Sequence, residues 1–79
     1  MPNHLAELQE YIRSIEKPGE VRITENTGSC DKYGWHAKIG LQIYATRGRL
    51  AKEVTIDVSG KNQELLKQAA MLELGKYVS

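Results

Sequence analysis

A chain of 79 residues is too short for two independent cores, so one domain spanning 1–79 is expected. Its composition, 41% hydrophobic and 27% charged, is that of a globular protein, and no run of about eighteen apolar residues exists to span a membrane. A single cysteine, Cys30, excludes an internal disulfide, and a formal net charge of +1 argues by itself neither for nor against a nucleic-acid partner.

The first periodic segment is NHLAELQEYIRSIEK. Leu5, Leu8, Ile12 and Ile15 recur at spacings of three and four, which marks one face of a helix. Asn3 is a suitable N-cap, and Glu7 favours the positive end of the helix dipole. Lys17-Pro18-Gly19 ends the helix, because proline cannot continue it and glycine permits the turn.

EVRITEN follows as a short strand, with Val21 and Ile23 on one face and Arg22 and Thr24 on the other. TGSCDKYG reads as a loop by composition. The clearest alternation comes next. Trp35, Ala37, Ile39, Leu41 and Ile43 share one face, and His36, Lys38, Gly40, Gln42 and Tyr44 the other, predicting a half-buried central strand. Gly40 on the polar face is the position for a bulge or a close backbone approach.

Thr46-Arg47-Gly48-Arg49 is the expected turn into a third strand, where Val54, Ile56 and Val58 alternate with Thr55 and Asp57. Ser59-Gly60-Lys61-Asn62 breaks that strand, and Asn62 is the expected N-cap of a second helix, QELLKQAAMLELGKYV. Its apolar face is expected to hold Leu65, Leu66, Ala69, Ala70, Leu72, Leu74 and Tyr77. Three one-sided strands and two one-sided helices bury their apolar faces most simply in two layers. The expected fold is therefore α+β, in the order α-β-β-β-α, with a three-stranded antiparallel sheet and both helices packed on one face.

Catalytic chemistry finds little support. His4 and His36 are the only histidines, no His or Cys pair has metal-ligand spacing, and Gly60-Lys61 lacks the surrounding residues of a phosphate loop. No acid, base and nucleophile assemble, so the chain is expected to be neither an enzyme nor dependent on a cofactor or metal. Cys30 reads as an ordinary thiol, consistent with a reducing, cytoplasmic location, and MPNHLAELQE lacks the pattern of a secretory signal.

Charge distribution favours binding. Between Asp31 and Lys52 stand five bases (Lys32, Lys38, Arg47, Arg49, Lys52) and one acid. A near-neutral protein can thus present one basic surface. Lys61 precedes the second helix and Lys67 lies in its second turn, where free N–H groups and the dipole attract anions. The plainer reading of both is a solvated lysine.

Several local strings resemble a double-stranded RNA-binding domain over nearly the whole chain: Leu8-Gln9-Glu10-Tyr11, Arg22-Ile23-Thr24-Glu25-Asn26-Thr27-Gly28, and Leu66-Lys67-Gln68-Ala69-Ala70. The resemblance implies recognition of the A-form helix by shape, across two minor grooves and the phosphates between them. It assigns Glu10 to ribose hydroxyls and His36, with Lys38 beyond it, to the loop between the first two strands. It assigns Lys67 to the basic motif of the second helix, and Lys61 stands nearby. Gln63 and Glu64 occupy the places of two adjacent lysines in the family, and Gly34-Trp35 replaces the glycine-proline pair before the histidine.

Two partners are therefore expected: double-stranded or structured RNA, or, through the departures from the basic motif and through Trp35, Tyr33 and Tyr44, a protein. The second reading includes a homodimer and a small phage or viral inhibitor of a nucleic-acid-processing complex. Neither involves a membrane.

Overall fold

The computed structural model describes residues 3–45 and 48–78. The elements run α1 (His4–Ile15), β1 (Val21–Asp31), β2 (Gly34–Tyr44), β3 (Leu50–Gly60) and α2 (Gln63–Gly75). The predicted α-β-β-β-α order is the observed one. Thr46 and Arg47 of the expected turn lie outside the described residues.

Both caps form as the sequence predicts. The Ala6 N–H donates to Asn3 Oδ1 at 3.1 Å, and the Leu65 N–H to Asn62 Oδ1 at 2.9 Å. After α1 the chain turns at Pro18-Gly19, with Gly19 at φ 79°, and the Lys17 carbonyl accepts from the Glu20 and Val21 N–H groups, both at 2.9 Å.

The sheet is antiparallel in the order β1-β2-β3. Trp35, Ala37, Ile39, Leu41 and Ile43 stand opposite Gly60, Val58, Ile56, Val54 and Lys52, which places one apolar row beneath the helices. Leu8, Ile12 and Ile15 of α1 and Ala70 and Leu74 of α2 close over Ile39, Leu41 and Ile56, so both helices lie on the same face. Near the start of β3, the Lys52 ammonium lies 4.9 Å from the centre of the Tyr77 ring.

β1 departs from its expected course twice. The register slips between Ile23 and Glu25, leaving Thr24 as a bulge opposite Gly40. A Cβ at Gly40 would stand 2.6 Å from Thr24 Oγ1, so the absent side chain is what admits the bulge. The bulge changes the alternation: Val21 and Ile23 face the helices before it, and Asn26, Gly28 and Cys30 after it. The expected loop TGSCDKYG is also mostly strand. β1 runs on to Asp31, and only Lys32 and Tyr33 form the turn. Small polar residues favour loops, but a complete row of partners on β2 overrides that preference.

Leu65 and Leu72 do not join the buried face of α2. They are 44% and 69% exposed, and the buried residues are Leu66, Ala70 and Leu74. A thirteen-residue helix at the margin of a three-stranded sheet meets it along one narrow stripe, which leaves the sides of a wide apolar face open.

Lengths decide the rest. Eleven-residue strands extend about 36 Å at 3.3 Å per residue. Helices of twelve and thirteen residues reach only about 18–20 Å at 1.5 Å per residue. The helices therefore cannot cover the whole inner face of a molecule 44 Å long. The uncovered part lies at the β1–β2 hairpin. Among the described residues no helix is long and apolar enough to cross a membrane.

Candidate functional site

The residues singled out for RNA contact do not gather on one surface. Glu10 is exposed on α1. Lys67 is half-buried on α2, where its Nζ donates to Glu7 Oε2 at 2.8 Å. That bond, more than the Coulomb attraction, holds the Glu7 carboxyl below the usual carboxylate range. Lys67 is thus paired with a carboxylate of the neighbouring helix. Sequence patterns on separate helices carry no sign of this pairing.

His36 and Lys38 lie on β2, opposite Ser29 and Thr27 of β1, in the row that alternates with buried Ala37 and Ile39. They face away from the helix layer, on the side of the sheet opposite Lys67. The resemblance assigns His36 to the loop between the first two strands, whereas the alternation of the sequence assigns it to the central strand. It falls within the strand, as the alternation predicts, because β1 and β2 pair all the way to Asp31 and Gly34. Its Nε2 stands 3.1 Å from Asp31 Oδ1, which also accepts from the Tyr33 N–H at 2.8 Å. The Tyr33 N–H and then His36 hold the Asp31 carboxyl below its ordinary range.

Lys61 comes closer to expectation. It precedes the N-cap Asn62, and the hairpin turn abuts it. A Cβ at Gly34, which has φ 129°, would stand 2.5 Å from the Gly60 carbonyl oxygen and 3.2 Å from Lys61 Cα. Lys32, Tyr33 and Lys61 consequently border one shallow recess at the hairpin tip. Tyr33 is 74% exposed, with the Lys32 ammonium 5.1 Å from its ring centre.

A second feature was not foreseen. Where the helices end, a cleft of about 520 Å³ opens between α1, the start of α2 and the inner face of the hairpin. Leu5 and Leu8 wall it from α1, Leu66 from α2, and Trp35 and Ala37 from β2. Gly28 and Cys30 of β1 form its outer margin. Trp35 belongs to the expected apolar row but is only half-buried, because the helices end short of it. No Lys, Arg, Asp or Glu lines the cleft.

β1 borders this cleft as an edge strand, with its outer side unpaired by any strand among the described residues. Near its start the edge is guarded, since the Ile23 N–H donates to Glu16 Oε2 at 3.2 Å. Further on, Gln9 and Asn26 exchange side-chain hydrogen bonds, the shorter at 2.7 Å, tying α1 to β1. From Asn26 to Cys30 the strand holds no charge and no proline, the usual protections of a free edge. In the sequence this segment reads as a loop, which hides both the edge and the cleft.

Among the described residues no three His, Cys, Asp or Glu side chains gather where they would hold a metal ion. No family model, curated protein or solved structure matches the chain.

Proposed function

We propose that this domain is a non-catalytic protein-interaction module that receives a polypeptide segment in the cleft between α1 and the hairpin. The observation that carries the reading is a cleft without Lys, Arg, Asp or Glu, walled by Leu5, Leu8, Trp35, Ala37 and Leu66 and bordered by polar Gln9, Asn26 and His36, beside a strand edge unpaired from Asn26 to Cys30 among the described residues. Burial of such surface contributes about 25 cal/mol per Å² before the costs of association, and aromatic side chains are frequent anchors of interfaces. A photo-crosslinker on Cys30, which is exposed at the margin of the cleft, tests it in extracts of the source cells. One discrete adduct is expected, reproduced with the purified partner and lost in Leu5→Lys. Adducts unaffected by Leu5→Lys, or none at all, would remove the reading.

A second reading, contact with the backbone of structured RNA, is favoured by the recess at the hairpin tip. Lys32, Tyr33 and Lys61 there combine two cations with an exposed aromatic ring, a combination suited to phosphates and an unstacked base, although the Asp31 carboxylate lines the same recess and opposes an anion. The α-β-β-β-α order resembling a double-stranded RNA-binding domain adds support, whereas Lys67 is held by Glu7, and His36 and Lys38 lie on the other side of the sheet. Gel shifts with a duplex longer than about 16 base pairs test it at low salt. Binding lost in Lys32→Glu/Lys61→Glu and kept in Lys67→Gln would favour the tip; no shift by the parent protein would exclude RNA.

A further inference from the structure

We infer that the segment received is an extended strand that adds to the free edge of β1 between Glu25 and Asp31, with apolar side chains at alternate positions and basic residues at both ends. The inference rests on the protein-interaction reading and specifies the partner's chemistry.

Backbone hydrogen bonding selects a strand. An edge strand presents unpaired N–H and C=O groups along its outer side, and their natural complement is another extended backbone. The bulge at Thr24 sets where regular pairing can begin, and the turn at Lys32 sets where it ends.

Side chains then select the pattern. Asn26, Gly28 and Cys30 face the helix layer, so residues of an incoming strand opposite them enter the cleft. Gly28 has no side chain to fill that space, and the walls are Leu5, Leu8 and Trp35. Apolar residues opposite Gly28 and Cys30 meet those walls, and the one opposite Asn26 lies against the Gln9–Asn26 pair. On the other face the row is Glu25, Thr27, Ser29 and Asp31, neutral in the middle and acidic at both ends, with Glu25 free of any ion pair among the described residues and Asp31 already held through Oδ1 by the Tyr33 N–H and His36. Opposite charges directly across a strand pair stabilise it, so Lys or Arg belongs opposite Glu25 and Asp31.

A second copy of this chain does not supply that pattern. The inward row of another β1 is Asn26, Gly28 and Cys30, with no large apolar side chain. The inward row of another β3 holds Ile56 and its neighbours Val54 and Val58, already packed in that copy's own core. The occupant is a segment of a different protein.

The peptide Lys-Val-Thr-Val-Thr-Val-Lys, capped at both ends, is the direct probe. It reads the same in either direction, so the outcome does not depend on strand polarity. Titrated into the full chain, it should saturate shifts of the amide resonances from Asn26 to Asp31 and change the emission of Trp35. The analogue with Asp at both ends should bind about fivefold more weakly at low salt, from two cross-strand charge pairs. Glu25→Lys should narrow or reverse that preference, and proline in place of the central Val should abolish binding. Absence of shifts at β1 up to millimolar peptide, or shifts confined to the outward face, would overturn the inference. A Cys30 cross-link that survives a null titration overturns the strand geometry alone; loss of both overturns the interaction reading with it.

Discussion

Glu7 of α1 and Lys67 of α2, sixty positions apart, are joined by a 2.8 Å hydrogen-bonded ion pair that ties the two helices to each other. The bond couples packing to protonation, because it favours the ionised carboxylate. A carboxyl depressed in the folded state contributes stability above its unfolded value of about 4.5 and loses it as the pH falls through the folded value. Wild type should therefore exceed Glu7→Gln in Tm at pH 7, and the difference should shrink below about pH 4.5 and vanish in stronger acid. Thermal unfolding followed by circular dichroism at several pH values measures this. A difference unchanged down to pH 2 would show that the ion pair is not its source.

The bulge requires Gly40 to lack a side chain. Gly40→Ala would place its Cβ 2.6 Å from Thr24 Oγ1 and 3.2 Å from Glu25 Cβ. The expected cost is about 1–3 kcal/mol, the range for overpacking. Thr24→Ala in the same chain should recover part of it by removing the nearer atom. Urea unfolding of the single and double variants decides the matter.

Gly60 is the stricter case, since the obstruction is backbone. A Cβ there would stand 2.5 Å from the Leu66 nitrogen and 2.8 Å from the Leu65 carbonyl carbon. No rotamer change relieves that contact. Gly60→Ala should lose about 3 kcal/mol or more, exceeding Gly40→Ala in the same urea measurement.

The two sides of α2 should respond in opposite ways. Leu74 is fully buried, and Leu74→Ala should cost about 2–5 kcal/mol through lost transfer energy and a residual cavity. Leu72 is 69% exposed, and Leu72→Lys should stay within about 0.5 kcal/mol of wild type. Equal losses at both positions would contradict the orientation of the helix.

Cys30 should react with a thiol reagent in the native state, since it is exposed on an edge strand. The rate should be independent of urea below the unfolding transition, because no opening is needed to reach it. Bound Lys-Val-Thr-Val-Thr-Val-Lys should slow the reaction. A native rate that rises steadily with urea would show that the thiol is buried.

Much of the architecture follows from patterns local to the chain. Leu8, Ile12 and Ile15 at helical spacing, the alternation from Trp35 to Ile43, and the caps Asn3 and Asn62 specify two helices and the central strand without reference to anything distant. These features repeat every two or every three to four residues, so each element carries its own signature. Gly40 likewise marks the bulge, because only a residue without a Cβ tolerates the crossing at Thr24.

Tertiary structure decided what depends on partners far apart in sequence. TGSCD has the composition of a loop and becomes strand only because β2 supplies a full row of partners. Leu72 belongs to an apolar stripe and is exposed because the sheet beneath α2 is narrow. Lys67 has the look of a free cation and is paired with Glu7 on the other helix. His36 and Lys67 lie on opposite sides of the sheet because alternation about β2 turns one of them away from the helices. The cleft beside Gly28 and Trp35 comes from a mismatch in rise per residue, about 3.3 Å in strands against 1.5 Å in helices. The sequence by itself determined the two helices, the central strand and which faces are apolar. Assembly determined which of those faces remained open to a partner.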